Sequence, residues 1–262
     1  MKAVRADYPA EWPYANVCTL ADLHIGDPHC NDAEVQRLVK RVQDDPYGLC
    51  ILNGDLMNTA TRGGVSDVYG EVMSPMQQID CLCKMFAPLK DKIIGVTSGN
   101  HESRAYKDDG IDITRLVCRE LGIEDRYCAE GVVVFLRFGQ RCGHTRHKDR
   151  SNNQMYTIFA MHGAGGGAKE GAKANRLADL ACIVDADVYI HAHTHLPLIM
   201  KNSFYRVNPF ASIVTKSDRL FVNCGAALEY GGYGQAKGFK PASTANPVIR
   251  LEAKEKRMSA TL

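Results

Sequence analysis

Residues 93–104 read Ile93-Ile94-Gly95-Val96-Thr97-Ser98-Gly99-Asn100-His101-Glu102-Ser103-Arg104. An apolar run of strand length breaks off into three hydrogen-bonding side chains, Asn100, His101 and Glu102. A strand buried on both faces reads as a near-continuous apolar run, as the parallel strands of α/β proteins do. In such sheets ligands bind in the crevice outside the carboxyl ends of the strands. A polar triplet at that point therefore marks a candidate site, provided other chemistry-bearing residues end up beside it.

Working outward, the same arrangement recurs four times. Asp22-Leu23-His24 follows the apolar run 17–20, and Gly54-Asp55 follows 49–52. His162-Gly163 follows 156–161, and His191-Ala192-His193-Thr194-His195 follows 188–190. Any one of these clusters has an ordinary reading as a turn or a cap. Five of them at strand ends, rich in Asp, Asn and His and free of Cys, point to one shared site.

Helical segments separate the strands. Asn31-Asp32-Ala33-Glu34 has the form of a capping box ahead of Val35, Leu38, Val39 and Val42. Ser74-Pro75-Met76-Gln77 opens a second helix, with Met76, Ile79, Cys83 and Phe86 as the expected inner stripe. The spacing predicts a third helix over 112–121, closed by Gly122, and a fourth over 173–184 with Leu177, Leu180, Ala181 and Val184 on one face. Late strands are expected at 219–223, 248–251 and 257–262. Repeats, low-complexity tracts and linkers are absent from the sequence. The expectation is an α/β fold in a single domain over 1–262.

The chain has 262 residues, 45% hydrophobic and 24% charged, enough to bury a sizeable core. A formal net charge of +2 argues neither for nor against a nucleic-acid partner. No stretch approaches the ~18 apolar residues of a membrane span, and the N-terminal residues lack the apolar core of a secretory signal. The ten cysteines are scattered, several within apolar segments. They read as reduced, mostly buried thiols of a cytoplasmic protein.

The set of motifs, in chain order, resembles the calcineurin-like metallophosphoesterases. It runs Asp22-Leu23-His24, Gly54-Asp55, Gly99-Asn100-His101-Glu102, His162 and His193-Thr194-His195. The resemblance implies a four-layer α-β-β-α sandwich of two mixed sheets, with a dinuclear metal site at the carboxyl ends of the strands. It implies that Asp22, His24 and His195 hold one ion, that Asn100, His162 and His193 hold the other, and that Asp55 bridges them. It places His101 off the metals, as the general acid for the leaving oxygen, with a hydroxide between the ions attacking the phosphoester.

Elementary chemistry agrees. Oxygen and imidazole ligands without thiolate suit Mn2+ foremost, with Fe, Zn2+, Ni2+ or Mg2+ as alternatives. Two divalent ions, two aspartates and a hydroxide leave one positive charge, fit to attract an anionic phosphoester. Ions roughly 3.5–4 Å apart can clamp both the attacking and the leaving oxygen. Phosphodiester substrates, nucleic acid or a nucleotide, are favoured over monoesters.

Some features depart from the pattern or compete with it. Ala192 stands where the family has glycine before H-x-H, and His191-Ala192-His193 is a competing register. Ser98 and the run Gly54-Asp55-Leu56-Met57-Asn58-Thr59-Ala60 lack the arginine and the G-D-x-x-D-R-G of the Ser/Thr phosphatase branch. Gly163 to Ala168 fits G-x-G-x-x-[GA], but the acidic residue that follows, Asp185 or Asp187, precedes the next strand instead of ending it, so dinucleotide binding is disfavoured. Arg104 and Lys169 are candidate substrate contacts, against a plain surface role for the first. Lys173 and Arg176 could face phosphates or solvent. Cys142, His144 and His147 lack a fourth ligand and read as loop residues. A scaffold that kept the fold without catalysis is the reading from another class, and all seven ligand positions speak against it.

Overall fold

The computed structural model describes residues 1–62, 67–139, 154–167 and 169–262. In chain order its main elements are β1 (Lys2–Tyr8), β2 (Tyr14–Leu20), α1 (Asp32–Asp44), β3 (Gly48–Asn53), α2 (Pro75–Phe86), β4 (Ile93–Thr97), α3 (Glu102–Asp109), α4 (Ile113–Leu121) and β5 (Val132–Phe138). There follow β6 (Met155–Ala160), α5 (Glu170–Asp179), β7 (Val188–His191), β8 (Leu198–Asn208), β9 (Ile213–Asn223), α6 (Gly232–Ala236), β10 (Val248–Glu252) and β11 (Met258–Thr261).

The strands form two mixed sheets, ordered β1-β5-β6-β7-β9-β8 and β11-β10-β2-β3-β4. β2, β3 and β4 run parallel, as do β6, β7 and β9. Successive side chains alternate across a strand, and the burial follows that alternation. Val17, Leu49, Ile51, Val132, Val134, Leu136, Ile158, Val188, Ile190 and Val222 share one core between the sheets. The opposite faces of β2 and β3, through Cys18, Leu20, Cys50 and Leu52, pack on Val35, Leu38 and Val42 of α1, Leu82 and Phe86 of α2, and Val117 of α4. Phe159, Tyr189 and Phe221, on the outer face of the six-stranded sheet, cover Leu177 of α5. Helix, sheet, sheet and helix thus make four layers. Each fully buried large aliphatic side chain contributes about 1.5–3 kcal/mol.

The opening stretch contains an irregularity. Cys50 pairs with Ile93 but Ile51 pairs with Gly95, so β4 carries an extra residue just before the site. Bulges of this kind re-aim side chains next to active sites.

Three local expectations need correction. Asn31 caps α1 by accepting from the Glu34 backbone N–H at 2.9 Å, yet the Glu34 carboxylate does not complete the box, because Arg37 holds it. In α2, Ile79, Cys83 and Phe86 pack against the core as expected, but Met76 is 63% exposed and the fully buried line is Gln78, Leu82 and Phe86. Gln78 turns the helix: its Oε1 accepts from Thr59 N at 3.0 Å, and its Nε2 donates to Glu71 Oε2 and Met73 O, both at 2.9 Å. The fourth helix starts earlier, at Glu170, and its last turn tightens to a short 3₁₀ helix at Leu180–Cys182. Cys142, His144, His147 and Ala168 lie outside the described residues. The nine described cysteines are all free. Burial pushes the Cys18 thiol up to about 11 and those of Cys118 and Cys224 to about 12, the condition of inert, protonated sulfur.

Candidate metal centre

The parallel strands of both sheets end at one edge of the sandwich, and the ligand-bearing turns start there. Asp22 and His24 follow β2, Asp55 follows β3, Asn100 follows β4, His162 follows β6, and His193 and His195 follow β7. Five of these seven residues have positive φ: Asp22 and His24 at 50°, Asp55 at 49°, His193 at 64° and His195 at 52°. Left-handed backbone at a non-glycine residue costs of order 1–3 kcal/mol and persists only where the surroundings over-determine it, typically at functional sites.

Several bonds hold these turns. Asp22 N–H donates to Gly54 O at 3.0 Å and His24 N–H to Asp55 O at 3.1 Å, so the first two turns extend the ladder of their strands. His193 N–H donates to Asp22 Oδ2 at 3.0 Å, tying one sheet to the other. The Glu102 carboxylate, buried at the start of α3, accepts from the backbone N–H groups of Asp55, Leu56, Met57 and Gly99 at 2.6–3.0 Å. Glycine is needed at 99 because a Cβ there would run into the Asp55 carboxylate.

The side chains converge as two groups. One potential ligand atom each from Asp22, His24 and His195 lies within 4.8 Å of the others, and the same holds for Asp55, His162 and His193. Asn100 Oδ1 joins the second group, 2.6 Å from His193 Nδ1 and 3.2 Å from His162 Nε2. Asp55 also lies within 4.8 Å of His24 and His101, which puts it between the groups. Asp22, His24, Asp55 and His162 are buried, whereas His101 is 14% and His195 32% exposed. The site therefore opens towards His101 and His195.

The residues present fit a cation. Asp22 Oδ1 is buried and accepts no hydrogen bond, although His195 Nε2 stands 3.2 Å away and His24 Nε2 4.0 Å away. Those two imidazole nitrogens face each other at 3.4 Å. An orphaned carboxylate oxygen between two ring nitrogens is costly without a cation to share. His162 Nδ1 lies 2.8 Å from Asn53 O and His101 Nδ1 2.7 Å from Asn58 O. A backbone carbonyl on Nδ1 fixes the proton there and turns Nε2 to the site.

Charge follows the same plan. Burial, then the neighbouring His101 imidazole, which disfavours a second proton close by, holds His24 well below the usual imidazole range, and burial, then His162, lowers His193. Neutral imidazole is the form that ligates. Burial opposes ionisation of Asp55 and His162, but each outweighs it for the other: the Asp55 carboxyl is held far below the carboxylate range and His162 is pushed up to about 10. Burial lowers His101; Asp55 opposes that, and the Arg104 guanidinium adds to it.

The remaining sequence candidates fall as follows. Arg104 is half-buried and not a plain surface residue, with Nη2 3.2 Å from His101 Nε2 and Nη1 3.3 Å from Asn58 O. Lys169 is exposed at the N-cap of α5. Lys173 is half-buried and donates to Thr194 O at 2.8 Å. Asp185 is occupied by Arg206 and Arg219, and Asp187 by Thr157 and Lys256, so neither awaits a ribose. His191 is the last residue of β7, buried, with Nδ1 2.8 Å from Asn223 Oδ1; it stays out of both groups. Asn53, Asn58 and Asn223 were not singled out by the sequence reading. The available signal was an Asn closing an apolar run, at 53 and again at 223.

The profile of the calcineurin-like phosphoesterases matches residues 23–197. No curated protein matches the chain. Among solved structures, vacuolar protein sorting 29 from Cryptosporidium parvum is 13% identical, with 95% of this chain and 96% of that one covered and a TM-score of 0.41. A Vps29 variant from Entamoeba histolytica is 15% identical, covering 94% and 89%, with a TM-score of 0.42. A predicted phosphoesterase from Streptococcus pneumoniae is 13% identical, covering 95% and 99%, with a TM-score of 0.35. At these scores the family profile, and not the likeness, carries the assignment. Since the profile spans more than half of the chain, from the first ligand turn through the last, this protein belongs to the calcineurin-like phosphoesterase family, whose chemistry is metal-dependent hydrolysis of phosphoesters.

Proposed function

We propose that this protein is a phosphodiesterase working on nucleic acid or a nucleotide with two divalent ions, Mn2+ foremost. The observation that carries the metal reading is the orphaned Asp22 Oδ1 facing His24 and His195. Asp22, His24 and His195 would hold one ion, Asn100, His162 and His193 the other, and Asp55 would be shared. When bound, the ions supply water that ionises near neutral pH and positive charge for the phosphoryl oxygens.

The chain's own groups do the rest. His101 sits at the open side with Nδ1 tied to Asn58 O, so Nε2 is the atom that can meet a leaving oxygen. In the free protein Arg104 donates to that Nε2, and burial first, with the Arg104 charge adding to it, favours the neutral ring. A phosphoryl oxygen is a stronger partner for a guanidinium than an imidazole lone pair is. Arg104 moving onto the substrate frees the Nε2 lone pair to take a proton from solvent; the imidazolium so formed passes it to the leaving oxygen, which departs as the alcohol, and the ring returns to its neutral form. The preference for diesters rests on charge: a centre left with one positive charge suits a singly charged diester.

The test is hydrolysis of bis-p-nitrophenyl phosphate against p-nitrophenyl phosphate with added Mn2+, together with metal content. Two equivalents of metal and a kcat/KM at least tenfold higher for the diester are expected. A higher value for the monoester would replace the diesterase reading by a phosphomonoesterase, and a metal-free active protein would overturn the metal reading.

A further inference from the structure

The segment His191-Ala192-His193-Thr194-His195 places three imidazoles at alternate positions, and a continuing strand would put all three on one face. The structure separates them. β7 stops at His191. His193 and His195 both take left-handed φ, and they enter different ligand groups.

Asn223 lies beside this break. It is the last residue of β9, 1% exposed, and pairs directly with His191 across the ladder. Its Oδ1 is 2.8 Å from His191 Nδ1. Its Nδ2 donates to Thr194 Oγ1 at 2.9 Å and Leu196 O at 2.6 Å, with Cys224 O at 3.1 Å. The other imidazole nitrogen of His191 lies against Gly163, where a Cβ would run into it. One buried amide therefore holds the excluded histidine with its acceptor. With its donors it holds the residue between the two ligand histidines and the residue after them. Thr194 is held at two further atoms: N–H to Ala192 O at 2.6 Å, and its carbonyl by Lys173.

We infer that Asn223 is a positioning residue that selects which histidines serve as ligands, by binding His191 out of the centre and fixing the strained turn that presents His193 and His195. The inference rests on the metal reading above. Only a carboxamide offers an acceptor and two donors at this place; a carboxylate or an alkyl group cannot. Because the held turn feeds both ligand groups, losing the amide weakens both binding steps, whereas losing one ligand such as His195 weakens chiefly one.

Stepwise Mn2+ affinities measured by calorimetry on metal-stripped protein test this, with thermal unfolding in chelator as the check on folding. Asn223→Leu is expected to weaken both steps about 10–100-fold, the range for partners that orient a ligand. Thr194→Val, close in shape, removes one hydrogen bond of about 1 kcal/mol and is expected to weaken both about 5-fold. His191→Ala is expected to keep two equivalents. If Asn223→Leu and Thr194→Val lower the unfolding temperature in chelator but leave both affinities at wild-type values, or if His191→Ala loses one equivalent, the inference is overturned while the metal reading stands. Wild-type protein that takes up no Mn2+ overturns both.

Discussion

Gly54 precedes the shared aspartate and has φ of 77°. A Cβ built on it stands 2.6 Å from Gly99 N, 2.7 Å from His162 Nδ1 and 2.8 Å from Gly99 Cα. Ordinary contact starts at 3.4 Å, so Gly54→Ala must displace the His162 ring and the turn after β4 by about 0.7 Å. Two costs add. Left-handed backbone costs alanine about 1–2 kcal/mol, and overpacking a close-packed site about 1–3 kcal/mol. Gly122 supplies the control. Its φ is 71°, it closes α4, and a Cβ there meets nothing within 4 Å. Gly122→Ala pays the backbone cost alone. In urea unfolding of the metal-stripped protein we expect Gly122→Ala to lose about 1–2 kcal/mol and Gly54→Ala about 2–5 kcal/mol. Pushing His162 off the Asn53 carbonyl should also weaken Mn2+ binding by about 10–100-fold, against no change for Gly122→Ala. Equal stability losses and equal Mn2+ affinities in the two variants would refute the packing argument.

Other outcomes follow from the same geometry. His101→Ala should retain two metal equivalents yet lose about 10²–10⁴-fold in kcat on esters with poor leaving groups; an equal loss on p-nitrophenyl esters, whose leaving group needs no proton, would contradict the acid role. His162 is pushed up to about 10 by Asp55, above its unfolded value of about 6.5, so its stabilising contribution in chelated protein is complete below pH ~6.5 and lost as pH rises through about 10. Denaturant midpoints in EDTA should therefore fall from pH 7 to 10, and Mn2+ uptake at pH 8 should release a proton that potentiometry can count. Leu82→Ala should cost about 2–5 kcal/mol, whereas Met76→Ala should stay within about 0.5 kcal/mol; the reverse order in denaturation would restore the expected stripe of α2.

The site was easier to read in the sequence than the frame around it. Its residues are chemically unusual for strand ends, so Asp22, Asp55, Asn100, His162 and the three histidines of 191–195 stand out against their apolar neighbours. What escaped were elements without a periodic apolar face. β1 fully buries only the small Val4 and Ala6, with Tyr8 packed partly against the core, at the edge of its sheet. α3 buries only Glu102. The outer half of the β8–β9 hairpin projects beyond the core, with Tyr205, Val207 and Phe210 exposed, so alternation there carries no contrast; only 219–223 was legible. Gln78 and Asn223 were invisible for another reason. Each is buried because its amide fits several partners distant in sequence, and no local pattern encodes that.

The bond from His193 N–H to Asp22 Oδ2 joins ligand turns of opposite sheets. Along most of the seam the two halves of the sandwich adhere through side chains such as Val17, Leu136 and Ile190, which have no directional preference. Among the described residues, the groups that would share cations pin them at this rim. Ions here would act as a clasp: removing them should let the rim gape and exchange its amide hydrogens sooner, while the opposite rim stays shut. Metal supply would then govern how firmly the halves hold together as well as whether an ester is cut.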